Sequence, residues 1–258
     1  MELDHVKRVG MSAALKGAAV LRSYFGKVKN ISKKGDIDLV TEADMNSENA
    51  ILEVIKGAFP DHSIHAEETG LNDQPSKFQW IIDPLDGTTN YAHQLGLFSI
   101  SIAFEMDRDI VFAIVLNPIT EELFTATKGE GAYLNNRAIE VSKTQEVSES
   151  LLVTGFPYNL KTIFEPLMKR FSNCLKQAQG VRRLGSAALD LCYLASGKFD
   201  GFWEQNLNPW DTAAGVLIAR EAGAEITDFS NRPFTIDKKE ILATNGNIHQ
   251  EMLGILKI

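Results

Sequence analysis

The chain has 258 residues, of which 44% are hydrophobic and 23% charged, as expected for a globular protein with a large core. Its formal charge of -8 argues against a surface for nucleic acid or anionic membrane, which would need clustered lysine and arginine. Cys174 and Cys192 are too few and too far apart for a zinc site or a disulfide framework. The first residues are charged and no run is long enough for a transmembrane helix, so we expect a cytoplasmic protein.

Two helices are predicted at the start of the chain. Apolar residues recur at helical spacing over residues 3–25, and a polar loop that contains Lys33 follows. The second helix is expected to begin near Asp44 and to end at Pro60. Because Thr41 and Asp44 have the spacing of a capping box, Asp44 by itself indicates a carboxylate that complements the helix dipole.

A pair of adjacent carboxylates follows the next predicted element. Residues 63–66 have the composition of a short strand, and Glu67 and Glu68 come directly after it. Neighbouring carboxylates repel each other, so this pair is either solvated or holds a cation.

Residues 80–90, Trp-Ile-Ile-Asp-Pro-Leu-Asp-Gly-Thr-Thr-Asn, carry the central motif of the chain. The apolar residues indicate a buried strand that the proline and glycine stop, which predicts a tight turn holding Asp83 and Asp86. From Thr88 onward a helical turn can begin, and its first N–H groups have no internal partners. Two carboxylates facing such N–H groups can hold a divalent cation beside a phosphate, although the same residues also suit an ordinary surface turn.

The rest of the chain predicts a hairpin and then alternating strands and helices. The hairpin spans residues 98–116, and strand and turn signals continue after it as a mainly antiparallel sheet. The polar segment 142–149 is the candidate boundary between an N-terminal lobe, residues 1–141, and a C-terminal α/β lobe, residues 142–258. Both lobes are expected to form one compact catalytic unit.

Acidic residues stand at the ends of several predicted elements: Asp44, Glu67, Glu68, Asp83, Asp86 and Asp211. Ligands that offer only oxygen suit Mg²⁺ better than zinc, which prefers histidine and cysteine. The five histidines are scattered without metal-ligand spacing. No nucleophile elbow, Walker A loop or dinucleotide fingerprint occurs in the right context, so serine-nucleophile and dinucleotide readings are excluded.

Taken together, these motifs resemble the inositol monophosphatase family of lithium-sensitive, magnesium-dependent phosphatases. The matching segments run in order over nearly the whole chain: residues 38–44, 67–70, 80–90, 185–188 and 210–215. The resemblance implies a layered αβαβα sandwich of the α/β (α+β) class, with N-terminal helices on a mainly antiparallel sheet and a C-terminal α/β lobe. It also implies two to three Mg²⁺ ions, a homodimer, and a small phosphorylated polyol or sugar as substrate. From the net charge, neither nucleic acid nor membrane is expected as a partner.

Carried over residue by residue, the resemblance implies a set of metal ligands. Glu67, Asp83 and the backbone carbonyl of Leu85 would hold the first ion. Asp83 would bridge to a second ion that is also held by Asp86 and Asp211, and Glu67 would contribute to a looser third site.

The resemblance assigns other residues to water and substrate. Asp44 and Thr88 resemble the pair that orients the attacking water, and Glu68 is a further catalytic candidate. Gly87 and Thr88 would offer backbone N–H groups to the phosphate. Three residues would meet the substrate's hydroxyls: Asp86, Ala187 and Glu204.

Three cationic residues are weaker candidates. Lys33 falls at a family position near the phosphate, although its loop is variable. Arg182 and Arg183 are interpreted first as salt-bridged surface residues, with contact to a second phosphate as the alternative.

The expected reaction is hydrolysis of inositol monophosphate to inositol and phosphate by metal-activated water. Activity on fructose 1,6-bisphosphate, alone or as a dual specificity, is the alternative. Relatives that act on phosphoadenosine phosphate tend to have a Lys-Glu pair where this chain has Thr89 and Asn90. A non-catalytic regulatory binding protein of the same fold is the alternative from another class, although such a protein would be free to lose its metal ligands.

Overall fold

Seven α-helices occur in the described part of the computed structural model, which covers residues 3–27, 31–33, 39–72, 75–157 and 160–258. Side chains of residues 31–33, 39–41 and 160–162 are outside this description. The helices are α1 (Leu3–Tyr24), α2 (Glu42–Ala58), α3 (Thr88–Ala92), α4 (Leu160–Gln177), α5 (Ala187–Ala195), α6 (Pro209–Glu221) and α7 (His249–Leu256). None of them is long and apolar enough to cross a membrane.

The larger sheet has eight strands in the order β10-β9-β8-β7-β6-β5-β3-β4. All its neighbours are antiparallel except β3 and β5. Its strands are β3 (Ser63–Ala66), β4 (Gly70–Leu71), β5 (Phe78–Asp86), β6 (Ser99–Met106), β7 (Asp109–Asn117), β8 (Glu122–Thr127), β9 (Gly131–Leu134) and β10 (Arg137–Ile139). The sheet is therefore mainly antiparallel, as predicted.

A smaller sheet has five strands in the order β12-β11-β13-β15-β14. The strand β11 is parallel to β12 and β13, whereas β15 is antiparallel to β13 and β14. Its strands are β11 (Leu151–Thr154), β12 (Gly180–Arg182), β13 (Gly201–Gln205), β14 (Glu225–Thr227) and β15 (Glu240–Thr244). A separate antiparallel pair is formed by β1 (Ile31–Lys33) and β2 (Leu39–Thr41).

Helices and sheets alternate in five layers. The helices α1 and α2 pack on one face of the larger sheet, and α5 and α6 fill the space between the two sheets. The helix α7 and part of α4 cover the far face of the smaller sheet. The predicted αβαβα sandwich is confirmed.

The close approach of α1 to the larger sheet depends on a small residue. A Cβ at Gly17 would lie 2.9 Å from side-chain atoms of Ile51 and Ile100, which is closer than packed atoms tolerate. The predicted helix over residues 3–25 is thus confirmed, with the core-facing residues at the predicted helical spacing.

The central strand differs from its prediction. Instead of ending before a tight turn, β5 continues to Asp86, where Asp83 pairs with Ser101 and Asp86 with Ser99. The pairing shifts by one residue between the two aspartates, because a bulge accommodates Pro84, which has no N–H to donate. The expected turn is therefore an irregularity within a strand.

One hydrophobic core crosses the predicted boundary between the lobes. Side chains of the larger sheet, such as Phe124, share a cluster with those of α5 and α6, such as Leu191 and Ile218. The division after residue 141 stays a prediction.

Candidate active site

A cavity of about 150 Å³ opens where β5, α5, α6 and β13 meet. It brings together most of the residues that the sequence predicts for a site. Those that line it are Glu67, Asp83, Leu85, Asp86, Gly87, Thr88, Arg183, Ala187, Glu204 and Asp211. Residues from both predicted lobes thus form its wall.

The bulge in β5 turns two carboxylates toward this cavity. Residues three apart in a regular strand point to opposite faces of the sheet. Because the bulge adds one residue between Asp83 and Asp86, both side chains can line the same cavity.

Backbone and hydroxyl donors hold the aspartates in place. Asp83 Oδ1 accepts a hydrogen bond from the N–H of Leu85 at 2.9 Å. Asp86 Oδ2 accepts one from Ser186 Oγ at 2.6 Å and one from the N–H of Ala188 at 2.8 Å.

The helix α6 supplies its ligand candidate from its first turn. Pro209 begins α6, and Asp211 Oδ2 accepts a hydrogen bond from the N–H of Asn208 at 2.7 Å. This contact orients Asp211 as part of the helix cap, so the sequence features that start the helix also position the carboxylate.

The aspartates form a cluster that resists ionisation. Burial raises the pKa of Asp83 well above its usual value, and repulsion by Glu67, Asp86 and Asp211 adds to the shift. Burial also raises the pKa of Asp86 to about 6, although hydrogen bonds from Ser186 and Ala188 oppose it. The pKa of Asp211 is raised mainly by burial, and the charges of Asp86 and Glu67 raise it further.

A divalent cation would relieve this repulsion, and the all-oxygen donor set suits Mg²⁺. In the described residues, no three His, Cys, Asp or Glu side chains already stand in the geometry of a coordinated ion. The chemistry of the donors, rather than their present spacing, is what fits a hard cation.

Thr88 links the cavity to a buried acid. Its hydroxyl lies 3.0 Å from Asp44 Oδ1 and 3.1 Å from the carbonyl oxygen of Leu85. Asp44 is fully buried on α2 and does not itself line the cavity. The structure thus joins the two residues predicted to act as a pair.

Gly87 permits the sharp start of α3. Its φ of 103° lies in the left-handed region, and a Cβ there would approach the carbonyl oxygens of Leu97 and Gly185 at 3.1 Å. A larger residue would therefore displace the segment that places Gly87 and Thr88 on the cavity.

The remaining candidates differ in whether they line the cavity. Arg183 lines the cavity, whereas the guanidinium of Arg182 donates to the carbonyl of Val181 outside it. Lys33 belongs to β1, and its side chain lies outside the described residues. Glu68 follows Glu67 but is not among the lining residues of the cavity.

Sequence reasoning missed a residue that holds the loop after β3. The buried carboxylate of Glu48 accepts hydrogen bonds from the backbone N–H groups of Glu68 and Thr69, at 2.9 and 3.0 Å. This contact fixes the segment that begins with Glu67. No sequence signal distinguishes Glu48 from an ordinary polar residue of a surface helix.

Two further residues of the cavity were missed. Asp190 lies in the first turn of α5, a helix that is otherwise apolar apart from Tyr193. A lone acid in such a helix is a signal that could have identified it. Gly155 lines the cavity where a Cβ would collide with the carboxylate of Glu204, and nothing in the sequence indicates that contact.

The sequence profile of the inositol monophosphatase family matches residues 2–257. The chain belongs to this family of phosphatases. It is 46% identical over 246 residues to the inositol-1-monophosphatase of Synechocystis, covering 95% of this chain and 86% of the relative. A Nus factor SuhB of Haemophilus influenzae is 40% identical, covering 99% of this chain and 97% of the relative.

A solved structure of the family has the same fold. The inositol monophosphatase of Anabaena superposes with a TM-score of 0.90 at 42% identity, covering 99% of this chain and 96% of that one. The family and the fold that the motifs imply are confirmed.

Proposed function

We propose that this family member is a Mg²⁺-dependent phosphomonoesterase that hydrolyses inositol monophosphate to inositol and phosphate. The observation that carries the proposal is the convergence of Glu67, Asp83, Asp86 and Asp211 on one cavity. In a site for an anionic substrate, such a cluster is costly unless cations neutralise it. The proposed ligands are those carboxylates together with the carbonyl of Leu85, which also lines the cavity.

Two to three Mg²⁺ ions in this cluster would supply positive charge for the phosphate oxygens and would make bound water more acidic. The protein's own groups then have to position the attacking water. When the Thr88 hydroxyl donates to Asp44, its oxygen remains an acceptor for a hydrogen of that water. Asp44 is the buried carboxylate that receives the proton through Thr88.

The substrate end of the cavity contains groups that suit a polyol. Glu204 is buried on β13, and burial raises its pKa, followed by repulsion from Asp211 and Asp86. Ala187, the first residue of α5, lines the same cavity. Carboxyl oxygens accept hydrogen bonds from hydroxyl groups, so Glu204 and Asp86 are the proposed contacts of the leaving group.

Replacing Thr88 by valine is expected to lower kcat by about a hundredfold, because the shape is kept while the hydroxyl that orients the water is lost. Thr88→Ser keeps the hydroxyl and is the matched control. Single-turnover and steady-state assays would separate kcat from KM. A valine variant that keeps the wild-type kcat would contradict the role of Thr88.

Phosphate release from inositol 1-phosphate, fructose 1,6-bisphosphate and phosphoadenosine phosphate, each with Mg²⁺ and with chelator, tests the proposed function. We expect metal-dependent turnover that is fastest with inositol 1-phosphate. A preference for fructose bisphosphate would keep the mechanism and change the substrate. Absence of turnover with all three would contradict the proposal.

A regulatory binding role is the second candidate, because similar proteins carry the name Nus factor SuhB. The metal-ligand set argues against binding as the only role, since a binding protein has no need of four clustered carboxylates. An Asp83→Asn variant that retained a cellular role of the protein would support this second function.

For assembly and location, we propose a cytoplasmic homodimer. Family resemblance supports the dimer, and the two free cysteines, Cys174 and Cys192, suit a reducing, cytoplasmic setting. A monomer mass in light scattering at micromolar concentration would contradict the dimer. Inhibition of phosphate release by lithium is likewise proposed from the resemblance and is measurable in the same assay.

A further inference from the structure

Asp190 is a buried acid for which the fold provides no partner. Its side chain is 1% exposed, and neither carboxylate oxygen has a hydrogen-bond partner. Among the described residues, no other buried side-chain nitrogen or oxygen is in this state. Because burying an unsatisfied carboxyl costs stability, its presence indicates a role other than holding the fold together.

The position of Asp190 connects it with the active site. It lies three residues after Ala187 on α5 and lines the cavity together with Arg183 and Glu204. Glu204 extends over Gly155, whose missing side chain leaves the space that the carboxylate occupies. We call Arg183, Asp190 and Glu204 the acidic wall.

The acidic wall contains two carboxyl groups and one guanidinium. Burial is the main cause that raises the pKa of Asp190, and the charge of Glu204 raises it further. The positive charge of Arg183 opposes that shift. Arg183 also opposes the raised pKa of Glu204. Among the described residues that line the cavity, Arg183 is the one with a positive charge, and two acids share it.

We propose that Asp190 is a specificity-determining residue that admits an uncharged, hydroxyl-rich leaving group and disfavours one that carries a second phosphate. The inference rests on the proposed phosphatase function. A hydroxyl can donate to the carboxyl oxygens of Asp190, directly or through a bridging water. A second phosphate, with about two negative charges, has little hydrogen to donate, so it would leave the carboxyl oxygens of Asp190 without a partner. It would also oppose ionisation of two neighbouring acids that share a single guanidinium.

Asp190→Asn tests this role, because it keeps the shape of the side chain and removes the acid. The measured quantity is kcat/KM at saturating Mg²⁺ for inositol 1-phosphate, fructose 1,6-bisphosphate and p-nitrophenyl phosphate. We expect the ratio of monophosphate to bisphosphate to fall about tenfold, with p-nitrophenyl phosphate changing less than about threefold. Equal losses with all three substrates, or an unchanged ratio, would overturn the proposal.

A second variant tests the same charge balance without altering the buried core. Arg183 is exposed at the cavity, so Arg183→Gln should leave the fold intact. It removes the cation and is expected to raise the ratio of monophosphate to bisphosphate by about tenfold, opposite in sign to Asp190→Asn. An unchanged ratio in this variant would also overturn the proposal.

Asp237→Asn is the matched control, because it makes the same chemical change at an exposed residue outside the cavity. Its substrate ratio should equal that of the wild type, and a shift like that of Asp190→Asn would show a general charge effect and overturn the proposal. Failure of the wild type to release phosphate from any substrate would instead refute the proposed function and, with it, this inference.

Discussion

Asp83→Asn is expected to abolish metal-dependent phosphate release while leaving the fold intact. Asparagine keeps the size of the side chain and the oxygen that accepts the N–H of Leu85, but it removes the charge proposed to bridge two ions. Loss of even the partners of metal ligands costs about 10–100-fold, so we expect a loss of more than a hundredfold in kcat/KM. Residual activity within about tenfold of wild type would contradict the bridging role.

Stability measurements separate this loss from misfolding. Asp83 is repelled by Glu67, Asp86 and Asp211, so removing its charge should raise the thermal midpoint of the metal-free protein. The added stability from Mg²⁺ should shrink at the same time. Asp107→Asn, in the exposed turn between β6 and β7, makes the same chemical change and should alter neither activity nor the response to Mg²⁺.

Removal of metal is expected to destabilise the protein more at high pH than at low pH. The pKa of Asp86 is raised from 3.8 to about 6 in the folded protein, so the folded state holds a proton that the unfolded chain releases. Its contribution to stability is complete below pH 3.8 and is lost as the pH rises through about 6. Asp83 and Asp211, whose pKa values are also raised, extend the loss in the same direction.

The useful quantity is the rise in thermal midpoint that saturating Mg²⁺ produces, measured at several pH values. Protons and cations compete for the same carboxylates, so this rise should be larger at about pH 7.5 than at about pH 5.5. Burial lowers the pKa of His62, His65 and His249, which gives the opposite dependence of stability on pH near 6. Comparing the protein with and without Mg²⁺ at each pH removes most of that contribution.

An Asp86→Asn variant is the control for this experiment. It lacks one of the titrating carboxyls, so the pH dependence of the Mg²⁺ effect should become weaker. A Mg²⁺ effect that is independent of pH, or larger at low pH, would contradict the interpretation of the cluster as a cation site.

Local sequence determined most of the elements. Helical spacing of apolar residues defines α1, and Pro209 with Asp211 defines the start of α6, because period and capping act within one or two turns of chain. The order of the acidic motifs also allowed the family and the layered fold to be predicted, since each motif combines residue types that few other sites require together.

Tertiary structure decided the geometry of the cavity. The bulge that turns Asp83 and Asp86 to one side becomes apparent only in the pairing of β5 with β6, whose register the motif by itself does not determine. Two other contacts join residues that are far apart in the chain. The loop after β3 donates hydrogen bonds to Glu48, and Glu204 occupies the space left by the missing side chain of Gly155.

Asp190 and the two arginines are further residues whose surroundings the sequence alone does not predict. Helical periodicity places Asp190 on α5, but only the packing of α5 between two sheets buries its carboxylate without a partner. Arg182 and Arg183 are adjacent, yet only Arg183 lines the cavity. Sequence determined which chemical groups this protein has, whereas packing between distant elements decided which of them share one low-dielectric space, because burial and charge interactions depend on distance in three dimensions.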